Sequence, residues 1–189
     1  MDTRFHREQL INILQRAYSG ECAAAYAYRG HWRSVKKPTE RRRIQQIEHE
    51  EWMHREGVGQ MLEHLGAQPL KHLEARLWLI GHVIGIACHC IGWFLPMYFA
   101  GRLEHGNVDE YRRAASHAAE LGLSEQVAGL HRMAEVEREH ELFFLRVVTG
   151  HRLLPLMQAV FKWGREAQAA MPEPLASGPT AVDDKRPII

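Results

Sequence analysis

The sequence predicts an all-α fold, a helical bundle, on three observations. No stretch alternates apolar and polar residues with the period of two that a half-buried strand requires. Apolar positions instead recur at helical spacing in run after run, and glycine and proline punctuate those runs. At 189 residues the chain suits one domain with its own core, since domains run to roughly 100 to 200 residues.

The first run covers residues 4 to 34, with Leu10, Ile13, Leu14, Ala17, Tyr18 and Ala25 near helical spacing, and "KKPTE" breaks it. A second helix starts at Pro38 or Thr39 and runs to about Leu65, where Gly66 offers a C-cap. A third spans about 72 to 91 and a fourth about 95 to 120, with Gly92 and Pro96 marking the break between them. Gly122 closes the fourth, Ser124 caps a fifth over about 125 to 149, and a last amphipathic stretch occupies about 153 to 170. The domain is therefore expected over residues 1–170. Residues 171–189, with four prolines and almost no aromatic content, read as a disordered tail.

Formal net charge is +1, from 24 basic and 23 acidic side chains, so no net field attracts nucleic acid. The "ERRRI" cluster at 40–44 reads as a solvated helix face. Cys22, Cys88 and Cys90 are a sparse, odd set, which points to buried reduced thiols and a cytoplasmic setting. The start, "MDTRFHREQL", does not read as a secretory signal.

Residues 77 to 101 contain no Asp, Glu, Lys or Arg, and a run beyond about 18 such residues is nominally long enough to span a membrane. Gly81, Gly85, Gly92, His82, His89 and Pro96 interrupt it. Two shorter helices, one on or near a membrane surface, fit the run, as does a core helix buried all round. An apolar surface of this extent also leads us to expect peripheral contact with the inner face of the cell membrane, or a homo-oligomer.

The chemistry lies in two Glu-x-x-His pairs. In "IEHEEWMHRE" Glu51 and His54 share one helix face, and in "MAEVEREHEL" Glu137 and His140 do the same. One such pair is common on solvated helices; two on separate helices are more specific. The other two long helices each carry a lone glutamate in an apolar setting. Glu21 has Ala17, Tyr18, Ala24, Ala25 and Tyr28 around it, and Glu104 has Met97, Ala100, Gly101, Val108 and Tyr111. A buried unpaired carboxylate costs several kcal/mol unless a proton, a basic partner or a metal neutralises it.

Lone Glu, Glu-x-x-His, then the same order again is the ligand pattern of ferritin-like di-iron carboxylate proteins. The separations, 30 residues from Glu21 to Glu51 and 33 from Glu104 to Glu137, each allow two antiparallel segments and a turn. Two divalent cations balance the four carboxylates. Mixed oxygen and imidazole ligation suits two iron ions, with manganese as the other choice.

The chain resembles the demethoxyubiquinone hydroxylase family, a branch of the ferritin-like superfamily, over about residues 16 to 170. "GECAAAYAYRGH" is similar to that family's first motif through Gly20, Glu21, Tyr28 and Gly30, and "EEWMHREGVGQMLEHLGAQP" to its second through Glu51 and His54. A glycine-studded apolar helix, Glu104, Tyr111 seven residues later, the second Glu-x-x-His and a C-terminal apolar helix follow in the family's order. Glu110 stands where the family commonly has a histidine.

The resemblance implies a ferritin-like four-helix bundle with additional apolar, membrane-interfacial helices. It implies a di-iron monooxygenase that hydroxylates the ring of a lipophilic quinol with O2, as in ubiquinone biosynthesis. Glu51 and Glu137 would bridge two irons, Glu21 and Glu104 would be terminal ligands, and His54 and His140 would each hold one iron. Tyr28 and Tyr111 would hydrogen-bond the ligands or relay an electron. Two other readings remain open: a ferritin-like ferroxidase or peroxide-reducing protein, and a non-catalytic membrane-associated helical protein.

Overall fold

The architecture is that of a computed structural model, which describes residues 2–165. The tail expected over 171–189, and the end of the last helix beyond 165, lie outside the described residues. All six regular elements are helices: α1 (Thr3–Ser34), α2 (Pro38–His64), α3 (Lys71–Ala87), α4 (Phe94–Glu120), α5 (Ser124–Val148) and α6 (Leu154–Phe161).

Local chemistry sets most of the boundaries. Asp2 caps α1 by accepting hydrogen bonds from the backbone N–H groups of Arg4 and Phe5. Pro38 occupies the first turn of α2, where its missing N–H costs nothing. Gly66 and Gly122 take positive φ, 64° and 72°, directly after α2 and α4, as their positions in the sequence led us to expect.

Four boundaries differ from expectation. Ser124 is already helical, and Leu123 precedes it without a side-chain cap, so the serine cap is not made. α3 stops at Ala87 because its bonds tighten to three-residue spacing, His89 N–H to Ile86 and Cys90 N–H to Ala87. Pro96 does not mark the break, since it lies in the first turn of α4. α6 ends at Phe161, where Lys162 adopts left-handed backbone and turns Trp163 back into the core.

Cross-helix contacts set the topology. Glu48 of α2 accepts hydrogen bonds from Arg29 and Trp32 of α1. Tyr28 meets Glu104 while Tyr111 meets Glu21, so α1 and α4 run antiparallel. His54 meets Glu137 and Glu50 meets His140, which makes α2 and α5 antiparallel as well. α1, α2, α4 and α5 form a four-helix bundle of two hairpins, and α3 is the crossover between them.

α3 lies on α1 through glycine. A Cβ on Gly30 would overlap the backbone of Gly85, and one on Gly81 would overlap Ala23, so only glycine allows the two backbones this close. Much of the rest of α3 faces outward, with Trp78, Leu79, Ile80, Val83, Ile84 and Ile86 all exposed, while His82 packs on Tyr26 of α1. This rules out the core helix buried all round. No helix is long and apolar enough to cross a membrane among the described residues. Cys22 and Cys88 are buried, but Cys90, in the tightened turn that follows α3, is exposed rather than buried as expected.

The core divides in two. One apolar cluster, including Ile44, Ile47, Met97, Tyr98, Phe144 and Leu145, fills one end of the bundle. A second, including Leu10, Leu14, Val58, Leu62, Ala114 and Leu130, fills the other. Glu21, Glu51, Glu104 and Glu137 lie in the layer between them.

His31 belongs to the first end, stacked near-parallel with Tyr28 and Phe144, and its Nε2 has no hydrogen-bond partner. Burial lowers its pKa from the usual 6.5 to about 4. The unfolded chain therefore binds the extra proton first, so stability is complete above pH 6.5 and falls as the pH drops towards 4. Urea unfolding should show a loss of roughly 2 kcal/mol between pH 7 and pH 5 from this residue. His31→Phe should remove that part of the slope, and an unchanged slope would refute the assignment.

Candidate metal centre

The sequence places each ligand-type side chain on its own helix, and the bundle brings all six to one layer. Glu21 comes from α1, Glu51 and His54 from α2, Glu104 from α4, and Glu137 and His140 from α5. Two groups could each hold a metal ion: Glu21, Glu51, His54 and Glu137, and Glu51, Glu104, Glu137 and His140. Within each group one ligand atom per residue lies within 4.8 Å of the others, and every member is buried. Glu51 and Glu137 belong to both groups, the sharing that two adjacent ions need.

The two tyrosines pair across helices. Tyr28 of α1 donates to Glu104 of α4, and Tyr111 of α4 donates to Glu21 of α1. Each glutamate is thus held by the tyrosine one heptad along the opposite helix, since α1 and α4 are antiparallel. Asn107 donates to Glu104 at 3.0 Å and lies 3.5 Å from Glu137. His54 Nδ1 is 2.8 Å from Glu137 Oε1, and His140 Nδ1 is 3.4 Å from Glu51 and 3.6 Å from Glu137.

Whether these residues suit metal ions is decided by the atoms that nothing satisfies. Glu21 Oε2, both oxygens of Glu51 and Nδ1 of His140 are buried without a hydrogen-bond partner. Buried polar atoms are normally paired, and lone-pair atoms converging on one layer offer the donor set a divalent cation takes. Oxygen predominates, with two imidazoles and no thiolate, which fits iron or manganese.

The electrostatics of the metal-free chain agree. Burial, then repulsion from Glu137 and the other carboxylates, pushes Glu51 well above the ordinary carboxylate range. Burial, with Glu137 beside it, does the same to Glu104, and burial raises Glu21. Glu137 goes the other way: burial opposes its charge, but the imidazoles of His140 and His54 beside it hold it below the range. Burial disfavours both imidazolium forms, yet contact with Glu137 raises His54 and His140 above their usual value. Without metal, burial and mutual repulsion favour the protonated forms of Glu21, Glu51 and Glu104.

Three participants were not read from the sequence. Asn107 gave no signal. Glu50 precedes Glu51 and accepts from His140 Nε2 at 2.7 Å, from Arg43 at 2.8 Å and from Gln46 at 2.8 Å. Its signal was Arg43 two turns earlier on the same helix. Glu141 is wholly buried and paired with Trp163, His105 and Arg138, and Arg138 three residues before it marked it as a structural carboxylate.

A cavity of about 70 Å³ reaches Glu21 between α1 and α4, lined also by Arg16, Leu103, Asn107, Glu110 and Tyr111. It has room for dioxygen or a few waters, whereas benzene takes a cavity of about 150 Å³.

Replacing Glu51 by Gln tests the charge balance. A carboxyl with a raised folded pKa contributes its stability below the unfolded value and loses it as pH rises. Metal-free Glu51→Gln should therefore be more stable than the metal-free parent by about 1 kcal/mol or more at pH 8, with the gap narrowing towards pH 5. A less stable variant at pH 8 would show that the site carries its charge without strain. In comparison with known proteins, no family model matches the chain, and no curated protein or solved structure is significantly similar to it.

Proposed function

We propose that the chain is a ferritin-like di-iron oxidoreductase that hydroxylates the ring of a lipophilic quinol with O2. The observation that carries this reading is the pair of buried ligand groups joined through Glu51 and Glu137. Glu51 and Glu137, which belong to both groups, would be shared by the two ions, Glu21 and Glu104 would each serve one, and His54 and His140 would complete the two positions. Two Fe(II) ions held there would supply O2 activation and, for one turnover, the two electrons that hydroxylation needs beyond those of the substrate.

The chain's own groups do the rest. Tyr28 and Tyr111 fix Glu104 and Glu21 through their hydroxyls. The apolar clusters at either end keep bulk water from the layer. Leu103 and Ala17 line the small cavity at Glu21, so dioxygen has a place beside the ligands, and a quinol ring requires that wall to part. The exposed apolar face of α3 supports a membrane-interfacial position, from which a lipophilic substrate is drawn. The resemblance to the demethoxyubiquinone hydroxylase family supports the substrate class.

The cavity's size favours a second reading, a ferroxidase or peroxide-reducing protein, whose reactants fit without rearrangement.

Metal analysis of protein prepared with Fe(II) without air should find two irons per chain, and a demethoxyubiquinol-like quinol in lipid should gain one oxygen atom on exposure to O2. Glu21→Ala and Glu137→Ala should each abolish tight binding of two ions while circular dichroism retains the helical content. Unchanged stoichiometry would refute the ligand set. Fe(II) or peroxide turnover without quinol product would select the second reading, and absence of metal would leave a non-catalytic, membrane-associated helical protein.

A further inference from the structure

The two ligand groups match in composition, three carboxylates and one histidine each, but their surroundings differ. His140 is completely buried, and its Nε2 meets Glu50 at 2.7 Å. Arg43 and Gln46 hold Glu50 in turn, each at 2.8 Å. With Nε2 anchored, Nδ1 of His140 is left without a partner and faces Glu51 and Glu137. Glu104, in the same group, is completely buried and held by both Tyr28 and Asn107.

The other group is looser. His54 Nδ1 is engaged with Glu137 at 2.8 Å, a contact that metal binding through this nitrogen must break. Its Nε2 has no hydrogen-bond partner among the described residues, and the ring lines an open groove with Met53, Gly57, Met133 and Val136. Glu21 lines the small cavity on the opposite side. Glu21 and His54 keep 4 % and 6 % of their surface exposed, against 0 % for Glu104 and His140, so the openings reach this group from two sides.

We infer that the two metal positions are built unequally: the Glu104–His140 position is closed and retains its ion, held by Glu50 as a positioning residue, while the Glu21–His54 position is open and exchanges. The inference rests on the metal-centre reading above. Glu50 fixes the imidazole ring and its tautomer from behind, the part that a carboxylate behind a metal-bound histidine plays. Arg43 keeps Glu50 in place. The open position is then the one that meets small reactants, because the cavity that reaches the ligands does so at Glu21.

The test is to load the full chain with Mn(II), challenge it with graded EDTA, and measure retained manganese after gel filtration. The parent should lose one ion at chelator levels at least about tenfold lower than the other. Glu50→Ala should make the retained ion about 10- to 100-fold easier to remove, with the readily lost ion unchanged within about twofold. Glu50→Gln, which keeps an acceptor without the charge, should fall between. A merely structural role for Glu50 would weaken both ions together, and that result would overturn the inference, as would two ions leaving the parent in a single step. If Glu50→Ala does not fold, Arg43→Gln applies the same test from the outer end of the contact and should shift the retained ion alone, by less. A parent that binds no Mn(II) would instead refute the metal-centre reading itself, and the inference with it.

Discussion

Four carboxylates at the waist of a helical bundle repel one another and lose their hydration together, and every other feature of this fold accommodates that cost. Glu51, Glu104 and Glu137 are wholly buried and Glu21 nearly so. A single isolated carboxylate in such a place would simply protonate or disrupt the core. Here the cost is met in two ways at once. Some oxygens take hydrogen bonds from Tyr28, Tyr111, Asn107 and His54, while others stay unpaired and converge. The unpaired ones leave the layer with donor atoms that a cation could take, rather than a closed polar network.

The bundle's topology follows from the same need. Four helices must each deliver one or two ligands to the same height, and the antiparallel pairings of α1 with α4 and of α2 with α5 achieve this with near-twofold symmetry. The exchange of tyrosines between α1 and α4 expresses that symmetry directly. Apolar plugs above and below lower the local dielectric, which strengthens the pull of these carboxylates on an opposite charge and penalises each one left unpaired. The crossover helix α3 does not enter the bundle. It is fastened from outside through Gly30 and Gly85, which leaves its aliphatic side chains facing away from the protein.

Symmetry in the ligands does not extend to what stands behind them. The Arg43–Glu50–His140 contact has no counterpart behind His54 among the described residues, and the open surfaces lie on the His54 and Glu21 side. If both groups hold ions, such a centre would separate retention from access. Glu110 adds a carboxyl to the wall of the cavity at Glu21.

The sequence by itself determined the helical class, the approximate extent of five long helices and the six ligand-type residues, because each depends on local rules. Helical periodicity, glycine and proline at the joints, and a Glu-x-x-His on one helix face are properties of neighbouring residues. Local rules failed where a boundary depended on distant packing: α6 stops early so that Trp163 can reach Glu141, and α3 ends where its last turn tightens. Tertiary structure alone decided that each tyrosine serves the opposite helix, and that Glu50 and Asn107 belong to the site. It also decided that α3 is exposed rather than buried, a question the charge-free run left open, since hydropathy states what a helix can bury and not what is there to cover it. These are relations between residues tens of positions apart, and they exist only once the antiparallel helices set which heights coincide.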